Sequence, residues 1–543
     1  MNKALAILLI FCLLLPAAGA EVEVFTAVTF TDSGFEVSSE SLFSVNLKVA
    51  IAAPEGAVIR YTTDGSVPTE ESTVYTKPIT LYTSFDLYKP AVLLLRAKAW
   101  YADGSVSETA TKTVYTSVRM KEGFGCPVMS IAADRNDLYG IYGILNEGNV
   151  KKRGRDWERE CHVELMQGDG TPVFGQNAGV RVYGGASRDA FIKSLKLYAR
   201  KSYDPEHGSF KTDIFGTPDN KGGVISSYDK LVLRNGGNDC QFAFVRDELA
   251  QRLVRKAGYT DGEGVVCTVV YLNGEYYGLL WLHESYCDDL LKEKYGGKKD
   301  GSYVVLEGSD REKTADDGDE LENRAVGEFN DAYQKFISSN LTDDAVYAEL
   351  NAFMDVENYL QNFAFNIYLG NNDWPQNNFK CYRFYADDES GYKAESPRDG
   401  RWRFIYHDID YTFGLYGQTE TQSVYNKLAH VMGHPDEMWY SPLFDKLMER
   451  EDARDYFISE ILRLSKGPLT SASVKKELKA IAEERETEFK RFDVYLDQPR
   501  KKDRSIFFRL ANYDAEEKRI RDFAKYRASY VQNHLKECLG YEP

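Results

Sequence analysis

Two hydrophobic periods divide the chain. Within residues 40–118 short runs alternate apolar and polar side chains: "VNLKVAI", "AVIRYTT", "AVLLLRAKAW" and "ETATKTVYT". A period of two puts one strand face on a core and the other in solvent. The tetrads "TDGS" (63–66) and "ADGS" (102–105) are turn signals between them. Short strands at such spacing predict a small β-sandwich. From residue 124 the pattern changes. Strands come first, in "CHVELMQ", "VFGQNAGVRVYGG" and "KSLKLYARKSY". Apolar positions three and four apart in "FVRDELAQRLVRKAG" predict a helix ending at Gly258. "VVYLNGEYYGLLWLHE" reads as a hairpin turning on Asn273-Gly274. The acidic stretch 308–345, which includes "DREKTADDGDE", reads as a loose, exposed insertion. A helix is expected around 355–369, and 436–540 is mostly amphipathic helix, taken as scaffold. The fold class expected is α+β: an all-β sandwich, then a larger mixed domain with a helical C-terminal part.

Composition narrows the classes. The 543 residues are 43% hydrophobic, enough for more than one core. The 37 Tyr and 29 Phe favour folded structure over disorder. A formal charge of −17 argues against a nucleic-acid groove or an anionic-membrane partner, while leaving room for a local basic pocket. Lys3, an apolar run and "AAGA" read as a secretory signal cut after Ala20. Phe11 stands before Cys12 where a lipidation signal needs a small residue. No later stretch reaches transmembrane length. The mature protein is therefore expected to be secreted or extracytoplasmic, with association at the cell surface as one form of this. Cys126, Cys161, Cys240, Cys267, Cys287, Cys381 and Cys538 remain, scattered and odd in number. Intramolecular pairing must leave one free, and a zinc site has little support.

The candidate chemistry lies late. "RFIYHDIDYTFG" (403–414) reads as a buried strand carrying Asp408 and Asp410, which a period of two would place on one face. Unpaired buried charge is costly, so a positive partner is required. Upstream, "NNDWPQNN" (371–378) sets Asp373 and Asn378 five apart, with Trp374 and Pro375 stiffening the loop. "FKCYRFY" and "RWRFIYHD" then form a hairpin across a polar loop. Helix, Asp-x4-Asn loop, hairpin, Asp is the order that protein kinases use. On that reading Asp373 accepts the proton of the acceptor hydroxyl. Asn378, or its neighbour Asn377, and Asp408 or Asp410 hold Mg²⁺ or Mn²⁺, which supplies the missing positive charge. Between two earlier strands, Gly184, Gly185, Ser187 and Arg188 form a small-residue turn open to phosphate oxygens, and Arg188, Lys193 and Lys196 offer charge. Asn235 and Asn238 read as turn formers, His407 as a packing or orienting residue, and Trp157 to Glu160 as a structural ion-pair cluster.

Seven of these pieces, in order, resemble the CotH spore-coat kinase family: "AGVRVYGGASR", "KSLKLYARKSY", "LVLRNGGNDCQFAFVRDELAQRLV", "VVYLNGEYYGLLWLHE", "GNNDWPQNNFKCYRF", "WRFIYHDIDYTFG" and "SPLFDKL". The resemblance covers about 124–538. It implies an atypical, rearranged protein-kinase-like fold that moves phosphate from ATP to Ser of a protein with a divalent metal. By motif it makes Asp373 the catalytic-loop Asp and Asn378 the metal-binding Asn. It puts Glu284, at the end of "LLWLHE", near the nucleotide, and offers Glu248 as a helix partner for the strand Lys. There is no literal Asp-Phe-Gly, since Phe413-Gly414 follows Asp410 by three residues, so Asp408 and Asp410 both stay open as the metal Asp. "IRYTTDGSVPT" with "LRAKAWYADGSVSE" resembles the chitobiase/β-hexosaminidase C-terminal-type module, an immunoglobulin-like sandwich. That implies a spacer, or a weak glycan or cell-wall contact through Tyr and Trp. The layout expected is signal peptide 1–20, linker and N-terminal strand region 21–39, sandwich 40–118 and kinase-like domain 124–540. The function expected is an exported kinase acting on Ser/Thr of a protein substrate. The alternative is a non-catalytic surface or adhesion protein that uses the same fold as a scaffold. A glycoside hydrolase is disfavoured, because its two carboxylates must flank a bond about 5–10 Å apart.

Overall fold

The computed structural model describes residues 23–28, 47–53, 55–86, 89–117, 123–315, 318–394, 396–502 and 510–542. The leader expected at 1–20 lies outside them. The described residues fall into two compact units, one of those before residue 122 with Ala132–Arg135 and Asn273–Glu275, the other of the remainder.

The first unit contains two antiparallel sheets. One orders Thr73–Val74, Val58–Thr62, Ala91–Trp100 and Ala110–Thr116; the other orders Glu23–Val28, Leu47–Ala52 and Ile79–Leu81. The period-two alternation is realised as a core of Val49, Ile51, Leu95, Ala97, Ala99 and Val114. The twin tetrads have one physical basis. Asp64 Oδ1 accepts the N–H and the hydroxyl of Ser66 at 3.0 and 2.6 Å, and Asp103 Oδ1 does the same for Ser105 at 2.9 and 2.7 Å. Gly65 and Gly104 between them sit at φ 91° and 86°, a region glycine enters without steric cost.

In the second unit a seven-stranded barrel closes. Its order is Pro172–Tyr183, Ser194–Tyr198, Lys230–Arg234, Glu275–Glu284, Val265–Leu272, Val128–Ala133 and Arg159–Met166. Val265–Leu272 pairs with Val128–Ala133 in parallel, Val269 opposite Val128. A four-stranded antiparallel sheet follows, ordered Lys313–Thr314, Gly301–Gly308, Lys380–Ala386 and Arg403–Ile405. Helix Val356–Leu369 is buried on nearly every side, its apolar residues joined by Asn362 and Asn366, which are hydrogen-bonded as buried polar groups must be. It starts at Asp355, which caps the Asn358 N–H, and ends at Gly370 with φ 64°. The C-terminal part is helical: Pro442–Glu449, Glu451–Lys466, Ser471–Lys502 and Leu510–Leu539.

The stretch 308–345 corrects the sequence reading, because it is built into the fold. Lys313 is buried and its ammonium donates to the Ser309 and Phe379 carbonyls at 2.5 and 2.7 Å. Helix Glu320–Ile337 opens on a capping box of Asp319 and Glu322 and buries Ala325, Phe329, Tyr333 and Phe336. Helix Asp344–Phe353 follows. The apolar stripe is spaced by three and four, but the charges around it hid the period.

The last helix is tied down by Arg527, which donates to the carbonyls of Ile367, Tyr368, Ser423 and Tyr425 at 2.6–2.9 Å. His534 Nε2 donates to the Val424 carbonyl at 3.1 Å. Burial, with the Arg527 charge adding, brings His534 down from 6.5 to about 4. Below pH 6.5 the unfolded chain takes up a proton that the folded chain refuses until about pH 4. The stability from neutral His534 is thus full above 6.5 and lost as pH falls toward 4, up to about 3 kcal/mol at 1.36 kcal/mol per unit. Urea denaturation at a series of pH values should show this slope, and His534→Phe should flatten it.

The seven described cysteines are all free thiols. Among the described residues no helix is long and apolar enough to cross a membrane.

Candidate functional site

The apolar strand Lys230–Arg234 ends on a charge. Arg234 is only 6% exposed, and its guanidinium meets three carboxylates. Nη1 lies 2.7 Å from Asp247 Oδ2; Nη2 lies 2.6 Å from Asp408 Oδ1 and 3.6 Å from Asp410 Oδ2. Arg234 thus supplies positive charge beside Asp408 and Asp410, where the sequence reading looked to a metal. The strand carrying them also ends early, at Ile405. Asp408 sits at φ 50° and Phe413 at φ 51°. The two carboxylates therefore reach Arg234 from a kinked loop, not from one strand face.

That loop gives the two acids different fates. Asp410 is 1% exposed; its oxygens accept the Asn238 N–H at 2.7 Å and the Asn238 amide at 3.2 Å. Gly237 passes so close that a Cβ there would collide with Asp410 Oδ2. Burial, then the Asp408 charge, drives Asp410 well above the carboxylate range. Asp408 has a side chain 29% exposed. Burial pushes it up, but the Arg234 and His407 charges outweigh this and hold it low. Its Oδ2 has no hydrogen bond among the described residues. Asp410 is a hydrogen-bonded part of the loop, and Asp408 is an ionised acid with a free oxygen.

The Asp373 loop is held on several sides. Gly370 ends the preceding helix, and Asn371 Oδ1 accepts the Asp373 N–H at 3.2 Å. Trp374 is buried against Phe363 and Phe379. The Pro375 carbonyl accepts the Asp310 N–H at 2.8 Å. The Asn372 N–H donates to the Tyr411 carbonyl at 3.1 Å, joining this loop to the Asp408–Asp410 segment. Asp373 Oδ1 accepts the Asn377 amide at 2.8 Å and Oδ2 the Asn378 amide at 3.0 Å. Both amide oxygens are thereby turned away from Asp373. Burial raises the proton affinity of Asp373, and the Asp408 charge adds to it.

The glycine turn departs from its expected role. Arg188 is buried and donates to the carbonyls of Gly184, Val150 and Lys152 at 2.5–2.9 Å. Lys193 donates to the Ala190 carbonyl at 2.8 Å and pairs with Glu147 at 3.4 Å. Both charges pin the turn itself, so neither is free for phosphate. A Cβ on Gly184 would collide with Ser187 Oγ, whereas Gly185 faces open space. Asn235 ties the turn to the Arg234 strand, donating to the Ser187 and Ile192 carbonyls at 3.3 and 2.8 Å. Among the described residues Lys196 has no carboxylate partner, its ammonium 5.3 Å from the Tyr183 ring and 5.8 Å from the Tyr198 ring. Burial, then the Lys230 and Lys380 charges, brings it down to about 8.

Glu284 is buried inside the barrel, where it accepts Tyr228 Oη at 3.1 Å and the Gly264 N–H at 2.7 Å. Glu248 pairs with Arg252 at 2.5 Å rather than with a strand Lys. The helix does send a carboxylate to a strand cation, but the pair is Asp247 with Arg234. Sequence reasoning also missed Lys380, paired with Glu307, and Glu263, which accepts from His283 Nδ1 at 2.8 Å and His407 Nδ1 at 2.5 Å. The Lys380 charge is the main cause of a Glu307 carboxyl held at about 2. An Arg closing an apolar strand just before Asn-Gly-Gly was the signal available for Arg234.

Among the described residues no three His, Cys, Asp or Glu side chains form a metal cage. A Mg²⁺ delivered with a triphosphate needs only one or two protein oxygens, the rest coming from phosphate and water. Asp408 and the Asn378 amide oxygen fit that donor set. A family model described as CotH kinase protein matches residues 180–531, and one described as Chitobiase/beta-hexosaminidase C-terminal domain matches residues 39–90. No curated protein matches the chain.

Proposed function

The chain belongs to the CotH kinase protein family, and we propose on that footing that it is an exported atypical kinase transferring the γ-phosphate of ATP to Ser or Thr of a protein. Asp373 takes the proton of the acceptor hydroxyl as its oxygen attacks the γ-phosphorus; the bond from phosphorus to the β-γ bridging oxygen breaks, and ADP leaves. Asp408 and Asn378 would hold Mg²⁺ or Mn²⁺, which when bound would neutralise charge on the phosphate oxygens. Arg234 fixes one oxygen of Asp408 and leaves the other for the ion. Lys196, paired with no carboxylate among the described residues, is the cation for the nucleotide phosphates. The leader-like first 20 residues support export.

One observation carries this reading: Asp373, held by two Asn amides, sits on a loop joined to the Asp408–Asp410 segment by the Asn372 N–H to Tyr411 carbonyl bond, and the second oxygen of Asp408 is unclaimed among the described residues. The test is incubation of the purified protein with γ-labelled ATP and Mg²⁺ or Mn²⁺. Label should reach protein, vanish with chelator, and fall at least about 100-fold in Asp408→Asn, in line with loss of a metal's charge stabilisation. Equal labelling by wild type and Asp408→Asn overturns the mechanism. No labelling and no metal-dependent nucleotide binding would leave the non-catalytic scaffold.

A further inference from the structure

Helix Lys427–Met432 opens on a buried cation. Lys427 is 0% exposed, and its ammonium has no hydrogen-bond acceptor among the described residues. It lies 4.2 Å over the Trp439 ring. The other edge of that ring points at the catalytic loop, where Trp439 Nε1 donates to the Asn372 carbonyl at 2.9 Å. Gln376 Nε2 donates to the same carbonyl at 2.9 Å. Trp439 is thus a wedge with Lys427 on its face and the residue before Asp373 on its edge.

A buried ammonium without an acceptor is costly to the folded state. A Met of similar length would fill the space without that cost. The charges that favour the ammonium are those of Asp373 and then Glu437, while burial drives its proton affinity well below that of an ordinary Lys. Lys427 in turn favours the ionised form of Asp373, to a smaller degree than the Asn377 and Asn378 amides do. Its stabilising partner is therefore the loop that carries the proposed base, and a metal-bound triphosphate would add further negative charge nearby.

We propose that Lys427 is a positioning residue for phosphate transfer, holding the Asn372–Asp373 segment in its reactive placement through its cation–π contact with the Trp439 wedge. The inference rests on the reading of Asp373 as the base.

Wild type, Asp408→Asn, Lys427→Met and Trp439→Phe are compared by label transfer at varied ATP, with thermal melting of each. Lys427→Met should melt at or above the wild-type temperature, keep KM for ATP within twofold, and lose kcat at least tenfold. Trp439→Phe keeps the ring face but loses the bond to Asn372, and should lose kcat severalfold at unchanged KM. It decides the matter if Lys427→Met does not fold. Wild-type kcat in both folded variants overturns this inference alone, as does a kcat loss that merely tracks a lowered melting temperature. Wild type no more active than Asp408→Asn removes both the reading of the site and this inference with it.

Discussion

Replacing Arg234 with Met should cost the protein about 3–5 kcal/mol, the range for removing one partner of a buried ion cluster. The variant leaves Asp247, Asp408 and Asp410 facing one another, with Asp247 and Asp410 almost wholly shielded from water. A domain's total stability is about 5–15 kcal/mol, so the loss should be visible as a large drop in the urea midpoint and in Tm. Arg234→Lys should recover little. A guanidinium presents a planar fork that serves Asp247 from one nitrogen and Asp408 and Asp410 from the other, and a single ammonium cannot reproduce that spread. Loss of activity should accompany loss of stability here, because Asp408 depends on Arg234 for its aim. A change below about 1 kcal/mol would mean that the carboxylates lie apart from Arg234 in solution, contrary to the geometry.

Asp373→Asn should separate chemistry from folding. General-base catalysis contributes about 10²–10⁴-fold, and kcat for label transfer should fall by that factor. Nucleotide binding, followed by calorimetry, should stay near wild type, because Asp408, Asn378 and Lys196 are untouched. Stability should change by no more than about 1 kcal/mol, the worth of one hydrogen bond. An Asn at 373 can accept from one of Asn377 and Asn378 through its carbonyl oxygen; the other must turn. Transfer within threefold of wild type would remove Asp373 from the mechanism.

The parts legible in sequence were those whose signals are local. Asn273-Gly274 gave a hairpin turn with φ 49° and 76°, and the stripe in "VRDELAQRLVRK" gave helix Arg246–Lys256. The Asp-Gly-Ser tetrads marked sandwich turns because one side chain closes each. Contacts between distant segments were not legible. Nothing in "RFIYHDIDYTFG" says that Arg234 is the counter-ion, nor that the chain leaves the strand at Ile405 to reach it. The Gly184–Arg188 turn looked like an anion cradle because Arg188 and Lys193 were counted as free charges, yet both are spent on carbonyls or nearby acid. Lys196 differs from Lys193 only by facing Tyr183 and Tyr198, which local pattern does not encode. Lys427 gave no signal at all, since a Lys opening a helix is ordinarily solvated. In 308–345 the error ran the other way, with charge density masking a stripe that the capping box of Asp319 and Glu322 should have flagged.

The parallel seam of the barrel governs how this chain is made. Val128 leaves the ribosome long before Val269, its partner across the seam. Gly125, just ahead of it, donates to Glu488 Oε1 at 2.9 Å, a group synthesised later still. Contacts so distant must meet the cost of closing a long loop before they return any stabilisation. Arg159–Met166 can cover one edge of this apolar strand early, but the other edge stays unpaired until Val265–Leu272 has been made, and a nascent chain of this kind gains from shielding over that interval.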